Sequence, residues 1–377
     1  MNMKDIGFLF KMAMAMILGI ASFTAYADAE TVKANLSRLN VPAGFTVDVY
    51  AEVPAARQMT LGTTGTVFVG TRGKHVYAVV DKNKDYVVDK IISLMADLNG
   101  GNGVAMHEGF LYVAEQNRIA RYAVPDFDLN PSFKMVREVV YDKLPNKRHH
   151  GWRYIIFGLD NKLYSTIGAP CNICAPKGLE ASIIRMEPDG SQAEIYASGI
   201  RNSVGMDFYP DTNTLYFTDN GVDMMGNDIP PGELNAAPEK GMHFGFPFYA
   251  GGKARQQKWK DKKPPQEVTF PIVEFQAHSA NLGFKFYTGK QFPVEFKGNA
   301  IIAQHGSWNR SERVGYQLQR VVFDENHQVK SNEVFIDGWL DNDEVWGRPT
   351  DVLQMPDGSL LVSDDYNGVI YRISYDK

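Results

Sequence analysis

The stretch 145-PNKRHHGWRYIIFGLDNKLYSTIG-168 sets two adjacent histidines, His149 and His150, beside Trp152 and Arg153, directly ahead of an apolar run. Imidazole exchanges a proton near neutral pH, and guanidinium is the cation best shaped for carboxylates. Basic and amide side chains stand in the same relation to other short apolar runs: Arg57, Asn99 with Asn102, Arg201 with Asn202, and Arg348. A second set, Arg72, Gln116, Asp219, Asn220, Gln304, His305, Asp364 and Asp365, closes such runs. Where both sets meet at one end of the fold, several guanidiniums converge. Their repulsion in a partly desolvated funnel is unfavourable unless something negative compensates. Either each arginine pairs with a structural carboxylate such as Asp207 or Asp351, or the funnel takes a small polyanionic ligand.

The elements that must position these residues follow from internal repetition. Six segments share one form, a turn followed by a short apolar strand ending in polar residues: 65-GTVFVGTR-72, 109-GFLYVAEQ-116, 161-NKLYSTIG-168, 213-NTLYFTDN-220, 298-GNAIIAQH-305 and 358-GSLLVSDD-365. Their strands begin roughly 44, 52, 52, 85 and 60 residues apart. Spacings of this size, built from strand and turn alone, predict an all-β six-bladed propeller. No stretch sustains a 3.6-residue apolar period, which disfavours a doubly wound α/β sheet. The longest spacing predicts a blade carrying loop insertions on the face that bears the site, with 221–275, rich in Gly, Pro and Lys, as the insertion. In each unit an inner strand precedes the turn, so its start and the end of the next strand share one end of the propeller. His149 to Arg153 then stand at the rim of a central channel.

Composition bounds the setting. Of 377 residues, 44% are hydrophobic and 22% charged, which suits a globular chain. Lys4 and Lys11 lead into an apolar run, Met12 to Phe23, that ends at Ala25-Tyr26-Ala27, the pattern of a cleaved secretory leader over residues 1–27. That run is too short to span a bilayer, and no later segment is longer, so the expected mature protein, residues 28–377, is one soluble propeller domain in the periplasm or secreted. The formal net charge is −5, one unit more negative once the leader is removed, which argues against nucleic acid or an anionic membrane as partner. The two cysteines, Cys171 and Cys174, read as a short loop disulfide in an exported chain; Ala175 in place of a histidine excludes covalent haem attachment.

In order and spacing, 149-HHGWRYIIFGLDNKLYSTIGAP-170, 198-SGIRNSVGMDF-208, 218-TDNGVDMMGNDIPPGELN-235, 304-QHGSWNRS-311 and 346-WGRPTDVLQMPDGSLLVSDD-365 resemble the soluble periplasmic sugar dehydrogenases that use pyrroloquinoline quinone. The resemblance covers about residues 40–375 and is closest to the sorbosone dehydrogenase-like branch. It implies oxidation of an aldose, a sugar aldehyde or a related alcohol by hydride transfer to the quinone. The family's catalytic histidine stands four residues before an arginine, as His149 stands before Arg153, although Gly151 falls one place early and Trp152 fills the glycine's slot. His149 is then the expected general base. Because neighbours on a strand point to opposite sides, His150 is expected to face away.

The resemblance also implies that Arg201 and Asn202 contact the quinone, with Arg201 stabilising negative charge that develops on its oxygen. Arg348 matches the first of two carboxylate-binding arginines. The second falls on Thr350, which turns attention to Arg310 and Arg313. Asn99 and Arg153 are further expected cofactor contacts, and Trp308, flanked by polar residues, is the expected aromatic one. Calcium in the family is held largely by backbone carbonyls, here at Gly221 and Val222, with Asp223 or Asp228 replacing an acidic residue that has become Gly232. With no haem of its own, such an enzyme passes electrons to a separate acceptor, a cytochrome or a quinone. Two alternatives belong to other classes: a calcium-dependent propeller lactonase or esterase, which needs acidic and amide side chains around the metal, and a secreted propeller that only binds a partner. The segment 81-DKNKDYVVDK-90 imitates the start of a calcium loop, but Tyr86 and Ile92 occupy the positions that need Gly and Glu, so it reads as a solvated turn.

Overall fold

The computed structural model describes residues 29–124 and 135–376. The expected leader, residues 1–27, lies outside the described residues. The six repeats begin at Gly65, Gly109, Asn161, Asn213, Gly298 and Gly358, and each of these has a positive φ, between 53° and 96°. Only Gly adopts that conformation freely, and Asn tolerates it better than most residues, which accounts for the two types found there. The apolar run after each turn is the second strand of a sheet.

Six sheets form the blades, each built on four antiparallel strands, which in blades one to five follow sequence order from the axis outward. Blade one comprises Ala56–Leu61, Val67–Thr71, Val76–Val80 and Lys90–Met95; blade two, Gly103–His107, Phe110–Ala114, Ile119–Ala123 and Glu138–Tyr141. Blade three comprises Ile155–Phe157, Leu163–Ile167, Ser182–Met186 and Glu194–Ser198; blade four, Met206–Phe208, Leu215–Asp219, Gly232–Ala237 and Val273–Phe275. Blade five comprises Asn281–Phe286, Ala300–Gln304, Gln317–Phe323 and Val329–Ile336. Blade six takes Pro349–Gln354, Leu360–Asp364 and Val369–Tyr375, and its outer strand, Phe45–Glu52, comes from the other end of the chain. This pairing closes the ring. It is reinforced by Phe45, whose ring lies 4.8 Å from Phe292, 5.0 Å from Phe335 and 4.8 Å from Tyr375, distances typical of favourable edge contacts.

Apolar side chains between neighbouring sheets form the core, as in the set Val67, Val69, Leu361 and Ile370 that joins blades six and one. The innermost strands line the axis. Their pairings, Ala56 with Thr71, Gly103 with Ala114, Asn281 with Gln304 and Pro349 with Asp364, bring the start of each first strand beside the end of the second. Between Ala237 and Val273 the chain leaves blade four, and Met242–His243 adds to blade three in parallel with Ala197 and Ser198. Gly232–Ala237, inside the stretch read as insertion, is the third strand of blade four. The turn after Asp81 is closed by that carboxylate, which accepts the N–H groups of Lys84 and Tyr86. Among the described residues no helix is long and apolar enough to cross a membrane.

Candidate functional site

At the end where first strands begin and second strands finish, a cavity of about 300 Å³ opens on the axis. Arginines, histidines and amides at the ends of blades one, three, four and five reach it. Their charge is organised by two carboxylates.

The first is Asp365, buried at the end of blade six. Arg57 Nη1 lies 3.0 Å from it, Arg348 Nε 2.7 Å and Arg72 Nη1 3.4 Å. His305 Nε2 donates to it at 3.0 Å. Burial lowers His305 to about 4, against the pull of Asp365, so near pH 7 it is a neutral donor. Burial alone would raise Asp365, but His305, Arg57 and Arg348 outweigh it and hold the carboxyl well below its ordinary range. Three guanidiniums therefore share one carboxylate, an excess of two positive charges. Asp207 and Asp351, the carboxylates considered for this task, are engaged elsewhere: Asp207 with Lys285 and the Phe286 N–H, Asp351 with Tyr154 and the Met59 N–H.

The second carboxylate is Asp223. Arg201 Nη2 meets it at 2.7 Å, and the same guanidinium donates to Asn172 and to the Asn220 carbonyl. Asp219 anchors the backbone here by accepting the N–H groups of Arg201, Asn202 and Asn220. Asn172 sits between Cys171 and Cys174, which form a disulfide.

His149 and His150 both line the cavity, their rings 4.0 Å apart. The expected alternation fails because the strand starts only at Ile155. The histidines occupy a turn closed from Gly151 N–H to the Arg148 carbonyl, with His150 at φ +49°. His150 Nδ1 is 2.8 Å from the Ala169 carbonyl. A carbonyl only accepts, so Nδ1 carries the proton and Nε2 keeps its lone pair. Burial, then Arg201 and His149, lower His150 to about 2. His149 is more exposed and also lowered, by burial and Arg201 against Asp223. Trp152 forms one wall, with the Arg57 and Arg72 guanidiniums 5.7 and 5.5 Å from its ring, within cation–π reach.

Arg201, Asn202, Gly221 and Trp308 line the same cavity. Trp308 is 73% exposed and also borders a second hollow, where Arg313 and Arg348 face Tyr366. Asn99 lies in a neighbouring hollow that shares Arg72 and Trp152. Arg153 corrects the sequence reading: it is 1% exposed and donates to the carbonyls of Gln116 and Pro145, so it braces the loop and does not reach the cavity. Asp228 is a second correction. Its side chain is 95% exposed, outside the cavity, with Arg310 at 4.0 Å. Val222 has its side chain buried against Phe246 and Ala250. Thr350 is structural, bonded to Ala56 and Ser363, and Arg57 and Arg72 are the arginines that join Arg348. Sequence reasoning missed Asp365 as the common partner and missed Asn172 altogether; Trp152 it placed at the rim, between His149 and Arg153, without giving it a role.

The donor set suits both implied groups. An excess of guanidinium over carboxylate matches a polycarboxylate such as pyrroloquinoline quinone. The Asn202 and Asn309 side-chain oxygens line the cavity, buried and without a hydrogen-bond partner. Hard oxygens left over in this way suit calcium. Among the described residues no group of three or more His, Cys, Asp or Glu is placed to hold a metal, so such an ion would rely on amide and backbone oxygens.

The sequence profile of the glucose / sorbosone dehydrogenase family matches residues 55–372. A Borreliella burgdorferi protein described only as uncharacterized is 35% identical over 356 residues, 90% of this chain and 92% of its own. Two solved structures share the fold. A calcium structure of a Trichoderma reesei carbohydrate-active enzyme of family AA12 has a TM-score of 0.76 at 20% identity, covering 90% of this chain and 97% of that one. The holo form of the pyranose dehydrogenase PQQ domain from Coprinopsis cinerea has a TM-score of 0.72 at 18% identity, covering 89% and 97%. With the match spanning all six blades, this chain belongs to the glucose / sorbosone dehydrogenase family.

Proposed function

We propose that this protein is a pyrroloquinoline-quinone- and calcium-dependent dehydrogenase that oxidises an aldose, a sorbosone-like sugar aldehyde or a related alcohol. The observation that carries the reading is a cavity that brings Arg57 and Arg72, which share the single carboxylate of Asp365 with Arg348, to a histidine held in one tautomer. When bound, the quinone supplies the hydride acceptor and calcium the Lewis acid.

Arg57, Arg72 and Arg348 would hold cofactor carboxylates, while Asn202, Asn309 and the Gly221 backbone would offer oxygens to calcium. Arg201, fixed by Asp223 and Asn172, presents positive charge where negative charge develops. As hydride leaves the substrate carbon, the proton of its hydroxyl, which an aldehyde carries once hydrated, passes to a histidine. The spacing to Arg153 points to His149. The Ala169 bond favours His150, because it fixes the tautomer and leaves Nε2 of a cavity-lining ring as the free acceptor, and we assign it the proton. Exposed Trp308 offers a face for the sugar ring. Export to the periplasm and a separate electron acceptor belong to the same reading, since neither cysteine is available for haem.

The test is reconstitution of apo-protein with calcium and the quinone, followed by dye reduction over a panel of sugars. His150→Ala should lower turnover by about 10²–10⁴ with quinone affinity kept, and His149→Ala should do much less. The reverse pattern would return the proton to His149. If no sugar reduces the dye in the reconstituted wild type, the dehydrogenase reading fails.

A further inference from the structure

Resting on that reading, we propose that the disulfide loop Gly168–Cys174 is a positioning clamp for the reaction, and that Asn172 is its working residue. The loop holds both groups assigned chemistry. On one side the Ala169 carbonyl accepts a hydrogen bond from His150 Nδ1 at 2.8 Å, and on the other the Ala169 N–H donates to the Arg201 carbonyl at 2.8 Å.

Asn172 then fixes the arginine's head and its counter-ion together. Its main-chain carbonyl accepts from Arg201 Nε at 3.1 Å and its Oδ1 from Arg201 Nη2 at 2.7 Å. That same Oδ1 accepts the Asp223 N–H at 2.9 Å, and Nδ2 donates to the Asp223 carbonyl at 3.1 Å. One asparagine thus makes four bonds to the two members of a single ion pair. Two of its bonds go to the guanidinium and two to the backbone of Asp223, so rotation of the Asn172 side chain would release three of them at once.

The covalent link explains how a loop residue can hold such geometry. Cys171 and Cys174 flank Asn172 and Ile173 and close a ring of only four residues. Closing so short a loop removes the least chain entropy, so the bond contributes little to global stability. Its effect is local: it denies the Asn172 backbone the conformations in which its carbonyl would turn from Arg201. No strand or helix includes the loop, which leaves as its restraints the disulfide, these bonds and the packing of Ala169 and Ile173 with Val222, Phe246 and Ala250. Asn172 does not line the cavity and acts through Arg201.

The test uses the full chain in two forms, Asn172→Ala and wild type reduced by a dithiol. In the second the S–S bond breaks into two thiols as the reductant closes its own disulfide. Hydrogen exchange on apo-protein should quicken at the amide of Asp223 and across 168–174 in both forms, with the strand Leu215–Asp219 unchanged. After reconstitution, kcat should fall at least tenfold, while KM for the sugar changes less than threefold and quinone affinity is retained. Asn172→Asp, which keeps the acceptors for Arg201, should recover part of kcat. Unchanged exchange at Asp223 in both forms overturns the clamp. Quickened exchange with full kcat also overturns it, since the loop would then be a structural staple alone. If the wild type oxidises no sugar, the proposed function fails separately, and the exchange measurement still decides whether Asn172 holds Asp223.

Discussion

Replacing Asp365 by Asn tests the arrangement of charge at the site without reference to turnover. The substitution keeps the shape and one acceptor but removes the only carboxylate shared by Arg57, Arg72 and Arg348. Arg72 is 42% exposed and 3.4 Å away, so water screens most of its loss. The weight falls on Arg57, whose side chain is 5% exposed, and on Arg348 at 2.7 Å. Breaking a buried pair from one side costs about 3–5 kcal/mol, because the partner charge stays buried and uncompensated. Urea unfolding at pH 7 and low salt should show that loss as a shift of midpoint at constant slope. Because the folded pKa of Asp365 is depressed, its contribution is present above the unfolded value near 4 and disappears as pH falls through the folded one. The gap between mutant and wild type should therefore be full at pH 5–7 and narrow only below about pH 4. A polycarboxylate such as citrate should stabilise the mutant by about 2.7 kcal/mol at a hundredfold excess over the mutant's Kd, and the wild type by less at the same concentration. A mutant as stable as the wild type, or one indifferent to citrate, would refute the reasoning.

Other expectations are as direct. Arg153→Met should cost about 1–3 kcal/mol for each carbonyl it abandons, Gln116 and Pro145, seen as a lower urea midpoint, while quinone affinity of the folded protein is unchanged. In Gly232→Ala the new methyl would lie 2.1 Å from the Asn281 amide nitrogen, so calorimetry should show a loss of about 1–3 kcal/mol from overpacking. His149 and His150 are both lowered, His150 to about 2, so the acid limb of turnover should fall below the ordinary imidazole value near 6.5. A limb at 6.5 or above in a pH–rate profile would count against either histidine as the proton acceptor in this environment.

The fold was legible because its signal is local. Gly or Asn at each of the six turns, followed at once by an apolar run, marks the same backbone event wherever it occurs. The rim residues were legible as well, since strand direction alone puts Arg57, Arg201 and Arg348 at one end. The register at His149 and His150 was not. A strand was assumed to reach them, yet Lys147 to Tyr154 is held by turn and side-chain bonds that no alternation of residue types reveals. Arg153 misled for a related reason, because a buried arginine satisfied by carbonyls looks in sequence like one that binds a ligand.

What the sequence determined by itself, then, is the number of blades, the end at which polar groups gather, and the excess of arginine there. All three follow from consecutive residues. Which carboxylate serves which arginine was decided only by closing the ring. Arg57 and Asp365, 308 residues apart, meet because Phe45–Glu52 pairs with Val369–Tyr375 and brings the first blade against the last. Asn172 reaches Asp223, 51 residues on, because blades three and four pack side by side and a disulfide holds the loop between them. Coulomb energy depends on distance in space, and distance in space is a property of the closed propeller rather than of any stretch of chain.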